Sequence, residues 1–241
     1  MKTGEDVADK GSTMNAAQEN REPGFDYRKS LKKPLYKFID RLKYIDIYVN
    51  RPLAGLLVRA VYNSRITPNG LTVFSFILGL LGAISFTRGQ YPYFVIGGVL
   101  AQLSSIVDGA DGMLARARNQ CSDFGAHLDL YLDRLTDFCL FLGIAWGIYI
   151  QTKSTHLLAL GILASSLYFL NVNLFYIIKS YRQTRQTGET GEARAIMIWL
   201  IAIFAVLNRL DFTIYVLLGE AVIANIVTLV VFINLARKQT P

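Results

Sequence analysis

The sequence predicts an all-α integral membrane protein: about six transmembrane helices preceded by an N-terminal interfacial amphipathic helix. Composition is the first reason. Of 241 residues, 52% are hydrophobic, and the mean hydropathy is +0.33, too apolar for an ordinary soluble domain. The second reason is that the apolar residues form runs of roughly 20, the length an α-helix needs to cross a hydrocarbon core of about 30 Å. The third is the placement of charge. The net charge is +7, and the basic residues cluster between apolar runs, which suits cytoplasmic loops and anionic lipid and argues against a nucleic-acid partner.

Residues 1–33 are rich in charge, Gly, Asn and Gln and show no apolar period, so a disordered tail is expected. No apolar core follows an early basic cluster, which argues against a cleaved signal peptide. Residues 34–66 alternate basic and apolar side chains. Within them Pro52 is a break, and the LAGLLVRAVY run that follows carries apolar residues at helical spacing, with Arg51, Arg59 and Arg65 around it. A helix lying in the membrane interface fits this pattern, as does a helix packed on other protein.

Residues 67–241 are expected to form the transmembrane catalytic domain, with spans at 69–87, 91–114, 124–150, 156–178, 195–207 and 212–235, the fifth of them short. Gly79, Gly82, Gly97 and Gly98 would allow close helix approach. Cys121 and Cys139 lack metal-site spacing and imply no disulfide framework. Arg116, Arg118, the basic loop from Lys179 to Arg194, Arg237 and Lys238 fall on one side of the spans, and only Arg88, Lys153 and Arg209 on the other. The positive-inside bias then places both termini in the cytoplasm, in a multi-pass protein of the cell inner membrane.

The stretch from Asp108 to Asp133, DGADGMLARARNQCSDFGAHLDLYLD, carries the chemistry. Asp108 and Asp111 are three apart and Asp129 and Asp133 four apart, so each pair shares one helix face. Ionised groups at membrane depth cost at least ~2.5 kcal/mol each and persist mostly where they pair or bind something. Four acids cannot all pair with Arg116, whereas two hard cations such as Mg²⁺ would neutralise them. Helix caps and salt bridges are the structural alternative. Asp133, one turn deeper than Asp129, is the best placed to take a proton from an attacking hydroxyl, and Arg116 offers a guanidinium fork to phosphate. Gly112 and Gly125 flank the acids, where a missing side chain would let a nucleotide approach the backbone.

These residues resemble the CDP-alcohol phosphotransferase family, whose signature is D-x-x-D-G-x-x-A-R, a spacer of about eight residues, and G-x-x-x-D-x-x-x-D. Asp108, Asp111, Gly112, Ala115, Arg116, Gly125, Asp129 and Asp133 occupy its fixed positions. The resemblance implies a donor linked to CDP, release of CMP, transfer of the phosphoryl-bearing part to an alcohol, and two ions of Mg²⁺ or Mn²⁺ per site. They would be held by Asp108, Asp111, Asp129 and Asp133, with Asp133 also the proton acceptor. It further implies nucleotide contacts at Gly112, Arg116 and Ser122, and at Asn69 and Thr72 in the T-P-N-x-x-T run. A turn followed by a helix cap explains Pro68 and Asn69 equally well. Members of the family are commonly homodimers.

The acceptor is less sharply marked. Arg134 follows the last aspartate in a D-R-x-x-D ending similar to members that use inositol phosphate, and the NRP and ITPN runs look like the branch that acts on CDP-inositol. Asp137 reads as a partner for Arg134 or a polar contact. Lys179, Arg182, Arg185 and Arg194 could form a basic face for an acceptor phosphate, or only express the positive-inside bias. The expected function is therefore metal-dependent transfer from CDP-diacylglycerol or CDP-inositol to an acceptor such as inositol phosphate. Glycerol phosphate, serine or another alcohol are the alternative acceptors, and a transporter or scaffold the alternative outside catalysis. Cys121, in the short loop between the two acidic spans, should react with a membrane-impermeant thiol reagent from the cytoplasmic side; labelling only from the opposite side would invert the topology.

Overall fold

The computed structural model describes residues 46–182 and 189–239, with side chains for 48–174 and 194–233. The tail at 1–33 and residues 34–45 of the juxtamembrane region lie outside the described residues. All regular structure among the described residues is helical. A π-helical turn, Asp46–Asn50, leads into α1 (Arg51–Val61), followed by α2 (Pro68–Phe86), α3 (Tyr91–Ala117), α4 (Asp123–Thr152), α5 (Thr155–Arg182), α6 (Glu189–Val206) and α7 (Leu210–Gln239).

Pro52 sits in the first turn of α1, where its missing N–H costs nothing. One stripe of α1 is buried: Ala54 and Val58 pack with Leu71 of α2 and Val107, Ala110 and Leu114 of α3. Leu53 and Leu56 remain exposed on the other side, as a helix at a lipid interface requires. The end of α1 is tied down by Arg118, just past α3. Its guanidinium donates to the carbonyls of Val61 (2.6 Å), Tyr62 (3.0 Å), Ser64 (3.0 Å) and Ile66 (2.6 Å). Carbonyls at a helix end lack the full set of helical donors, and a cation at a helix C-terminus also suits the dipole.

Among the described residues, five helices are long and apolar enough to cross a membrane: α2, α3, α4, the Thr155–Leu174 part of α5 and the Leu210–Ile233 part of α7. The expected fifth span corresponds to α6, whose apolar stretch, Arg194–Val206, is shorter. Its charged first residue turns inward rather than toward lipid. Ile223, Ile226, Leu229, Val230 and Phe232 of α7 are exposed, a surface that water would not tolerate and lipid does. The inner core is built from Phe86, Phe94, Leu140, Ile144, Ile148, Ile198, Ile201 and Ile214.

Close approach of the helices depends on missing side chains. A Cβ at Gly79 would strike Thr136 of α4, one at Gly82 would lie 3.2 Å from the Gly97 carbonyl oxygen, and one at Gly98 would lie 3.2 Å from Ala202 Cα of α6. The tightest contacts with backbone are at Gly143 and Gly147 of α4, where a Cβ would overlap the carbonyls of Ala83 and Phe86 on α2. At 30 residues α4 is about 45 Å long, more than a bilayer core, so its polar first turns can stand clear of the apolar layer while Gly147 stays packed inside. Gly147→Val should therefore separate α2 from α4: size-exclusion chromatography in detergent is expected to show aggregated protein, and a monodisperse, heat-stable variant would contradict this packing.

Candidate active site

Three helix ends meet at the site, and each is set by its own local chemistry. The α2 start is capped by Thr67, whose hydroxyl accepts from Gly70 N–H at 3.1 Å, with Pro68 in the first turn. The cap reading of the T-P-N run therefore holds in geometry, and the same cap aims Asn69 and Thr72 at the acids. The α4 start is capped in the same way by Ser122, which accepts from Gly125 N–H at 3.0 Å. A Cβ on Gly125 would lie 2.9 Å from Asn69 Oδ1, so its small size lets the two capped ends close on each other. The last turns of α3 supply Asp108, Asp111, Gly112 and Arg116.

Asp108, Asp111 and Asp129 can each offer a carboxylate oxygen with all three oxygens within 4.8 Å of one another. Asp111 is buried and accepts a 2.5 Å hydrogen bond from the Thr72 hydroxyl. Asp108 Oδ1 and Asp129 Oδ1 are buried and have no hydrogen-bonding partner among the described residues. Unpartnered buried carboxylate oxygens converging on one point fit a hard divalent cation, which takes oxygen ligands.

Asp133 stands one turn further along α4 and meets a different partner: its Oδ1 is 2.9 Å from Nη1 of Arg194, and the same nitrogen is 2.9 Å from Asp108 Oδ2. Asp108, Asp111 and Asp129 thus converge, while Asp133 and the second oxygen of Asp108 share one guanidinium. Arg194 itself was expected on a basic face over the 179–194 loop, and it is instead buried among acids. The premise that Arg116 was the one cation at hand fails for the same reason; Arg116 lies exposed at the rim. Folding, not sequence neighbourhood, supplies the counter-charge.

Behind the acids lies a second polar layer. Asp137 is fully buried, accepts from Arg194 Nε at 3.0 Å and from the Tyr168 hydroxyl at 2.8 Å, and lies 3.6 Å from Arg134 Nη1. Arg134 also donates to the Tyr168 hydroxyl at 3.3 Å. Asp137 is therefore both partner to Arg134 and anchor to Arg194. Its spacing of four from Asp133 places it on the acid face and is a usable signal; Tyr168, one of several polar residues in its span, carries none. The side chains of Lys179, Arg182 and Arg185 lie outside the described residues.

In front of the acids is a cleft of about 190 Å³, open to the surface, with Asp111 and Asp129 in its wall. Asn69, Thr72, Gly112, Arg116, Ser122 and Gly125, all expected at a nucleotide, line it together. The NRP run has a structural part to play as well: Asn50 Oδ1 accepts from Gln102 of α3 at 2.7 Å and from Trp199 of α6 at 3.3 Å, joining the two helices that carry Asp108 and Arg194.

The sequence profile of the CDP-alcohol phosphatidyltransferases matches residues 65–234, which covers every residue of the cluster and cleft. This chain belongs to that family, the membrane transferases of phospholipid biosynthesis, and is an enzyme. It is 34% identical over 117 residues to a bifunctional IPC transferase and DIPP synthase of Archaeoglobus fulgidus, covering 48% of this chain and 23% of that protein. It is 35% identical over 96 residues to an archaetidylinositol phosphate synthase of Pyrococcus horikoshii, covering 40% of this chain and 50% of that one. The matched stretch thus spans half or less of either relative.

Among solved structures, the fold is similar to Mycobacterium tuberculosis phosphatidylinositol phosphate synthase with CDP-DAG bound, at a TM-score of 0.57 and 21% identity, over 76% of this chain and 92% of that one. The form of that protein in complex with manganese and citrate gives a TM-score of 0.55 and 22% identity, over 75% and 87%. At such identity the likeness is one of fold.

The Thr72 hydroxyl supports Asp111 and also lies 3.2 Å from the Pro68 carbonyl oxygen of its own helix. Thr72→Val, equal in shape, should lower the transferase rate by about 10- to 100-fold with the thermal midpoint nearly unchanged, because Asp111 loses the group that orients it. A wild-type rate would mean that the α3 backbone alone sets Asp111.

Proposed function

We propose that this enzyme transfers the phosphate-bearing part of a CDP-linked alcohol, CDP-diacylglycerol or CDP-inositol, to a hydroxyl of an inositol phosphate and releases CMP. The observation that carries the reading is the continuity of the site. The glycine-flanked cleft runs into Asp111 and Asp129, and Asp133 with two arginines lies directly beyond. A diphosphate lying in the cleft would place its scissile bond between the nucleotide side and the arginine side.

Asn69, Ser122 and the backbone exposed at Gly112 and Gly125 bind the nucleotide end, and Arg116 at the rim forks onto phosphate. Asp108, Asp111 and Asp129 hold a divalent cation, with Asp133 joining for a second. Mg²⁺ or Mn²⁺ so held supplies neutralisation of the diphosphate and of the departing phosphate. Asp133 takes the proton of the attacking hydroxyl; the new P–O bond forms at the phosphorus bearing the donor's alcohol, and the bond to CMP breaks. Arg134 and Arg194, with Lys179 and Arg182, receive the acceptor's phosphate, since an arginine fork matches phosphate geometry.

The D-R-x-x-D ending and the inositol phosphate chemistry in the names of the relatives support this acceptor over glycerol phosphate or serine. The site is proposed to open to the cytoplasm, so that an amphiphilic donor keeps its tails in the surrounding lipid while its head enters the cleft. The test is CMP release by the purified protein with Mg²⁺ or Mn²⁺, each donor being paired with inositol phosphate, glycerol phosphate and serine. Release is expected with inositol phosphate, lost with a chelator and abolished in Asp133→Asn. Turnover with glycerol phosphate or serine alone would reassign the acceptor, and near-normal turnover in Asp133→Asn would remove that residue as base.

A further inference from the structure

Arg194 is 9% exposed, lies in the first half of α6, and is tied to α3 and α4 at once. Its Nε donates backward to Asp137, at 3.0 Å, while its Nη1 reaches forward to Asp108 and Asp133, at 2.9 Å each. The backward partner has no exposure and is itself fixed by the Tyr168 hydroxyl at 2.8 Å, so it cannot serve a substrate in the cleft. The forward partners are two of the acids that the proposed chemistry needs free. A guanidinium keeps its charge at any working pH. Through Nη1 it cannot bind an acceptor phosphate and bridge two carboxylates together.

Resting on the transferase reading above, we propose that Arg194 is a built-in counter-cation that occupies Asp108 and Asp133 until they take up a divalent cation, and that Asp137 is the positioning residue that anchors it. The fixed Nε–Asp137 contact acts as a pivot. When Nη1 leaves the two acids, the guanidinium keeps its buried partner and presents its freed N–H groups to the acceptor phosphate. Uptake of the cation and of the acceptor phosphate are then coupled with positive sign, because each removes the partner that the other must displace. The arrangement also keeps Asp108 and Asp133 from facing one another without a counter-charge before the cation arrives, which would be costly at this depth.

The two variants are expected to shift metal affinity in opposite directions, which a merely structural ion pair would not do. Mn²⁺ binding to the full chain in detergent, measured by electron paramagnetic resonance without donor, is the readout, with the thermal midpoint in chelator as control. Arg194→Gln removes the competing cation and should bind Mn²⁺ about tenfold tighter, while its midpoint in chelator falls. Asp137→Asn leaves the guanidinium leaning wholly on Asp108 and Asp133 and should bind Mn²⁺ more weakly than wild type.

If Arg194→Gln does not fold, Arg194→Lys serves. A single ammonium cannot reach Asp137 and both forward acids together, so tighter Mn²⁺ binding is again expected. Unchanged or weaker binding in the folded Arg194 variant, or a shift of the same sign in both positions, overturns the proposal. Absence of Mn²⁺ binding in the wild type would instead sink the metal-dependent transferase reading on which it rests.

Discussion

Placing ionised carboxylates between membrane helices costs at least about 2.5 kcal/mol apiece, and the architecture around Asp108, Asp111, Asp129 and Asp133 follows from meeting that cost. Each acid is met in a different way. Asp111 receives the Thr72 hydroxyl, Asp133 and Asp108 share a guanidinium from α6, and one oxygen each of Asp108 and Asp129 has no hydrogen-bonding partner among the described residues. The two unmet oxygens converge with Asp111, so the deficit is concentrated at one point. A site that is fully paired on one side and deficient on the other is what a cation-binding centre needs.

The surrounding helices serve this arrangement by geometry more than by charge. Gly143 and Gly147 bring α4 against α2 at a distance no side chain would allow, and Gly98 brings α6 against α3. With the shafts packed this closely, the capped starts of α2 and α4 close on each other at Gly125 and Asn69, and Thr72 reaches Asp111. Asn50 and Arg118 add cross-ties on the juxtamembrane side, the first between α3 and α6 and the second between α3 and α1. Both use a polar side chain to satisfy groups that lipid could not satisfy.

The second polar layer of Asp137, Tyr168 and Arg134 gives the site depth. A single buried carboxylate holds one guanidinium from behind and lies beside another, so the orientation of both arginines depends on the same group. Positive charge for a phosphate and negative charge for a cation are thus held side by side without collapsing into a simple neutral pair. Such mixed clusters rely on fixed geometry, because a small displacement would leave a buried charge unpaired.

By itself the sequence determined the membrane class, the long helices and the capped, glycine-flanked acidic motif, because these are set by composition, periodicity and short-range spacing. Asp108 with Asp111, and Asp129 with Asp133, share a face through helical geometry alone, and residues 67–72 announce their cap through Thr67 and Pro68. Only the tertiary structure decided which charges meet. Arg194 lies 86 residues from Asp108 and 57 from Asp137, in a segment whose basic character looked like a topological signal, and nothing local distinguishes it from its basic neighbours. The sharing of Arg194 by Asp108 and Asp133 and the burial of Asp137 have that cause. Each depends on how α6 packs across α3 and α4, a long-range contact that no periodicity encodes.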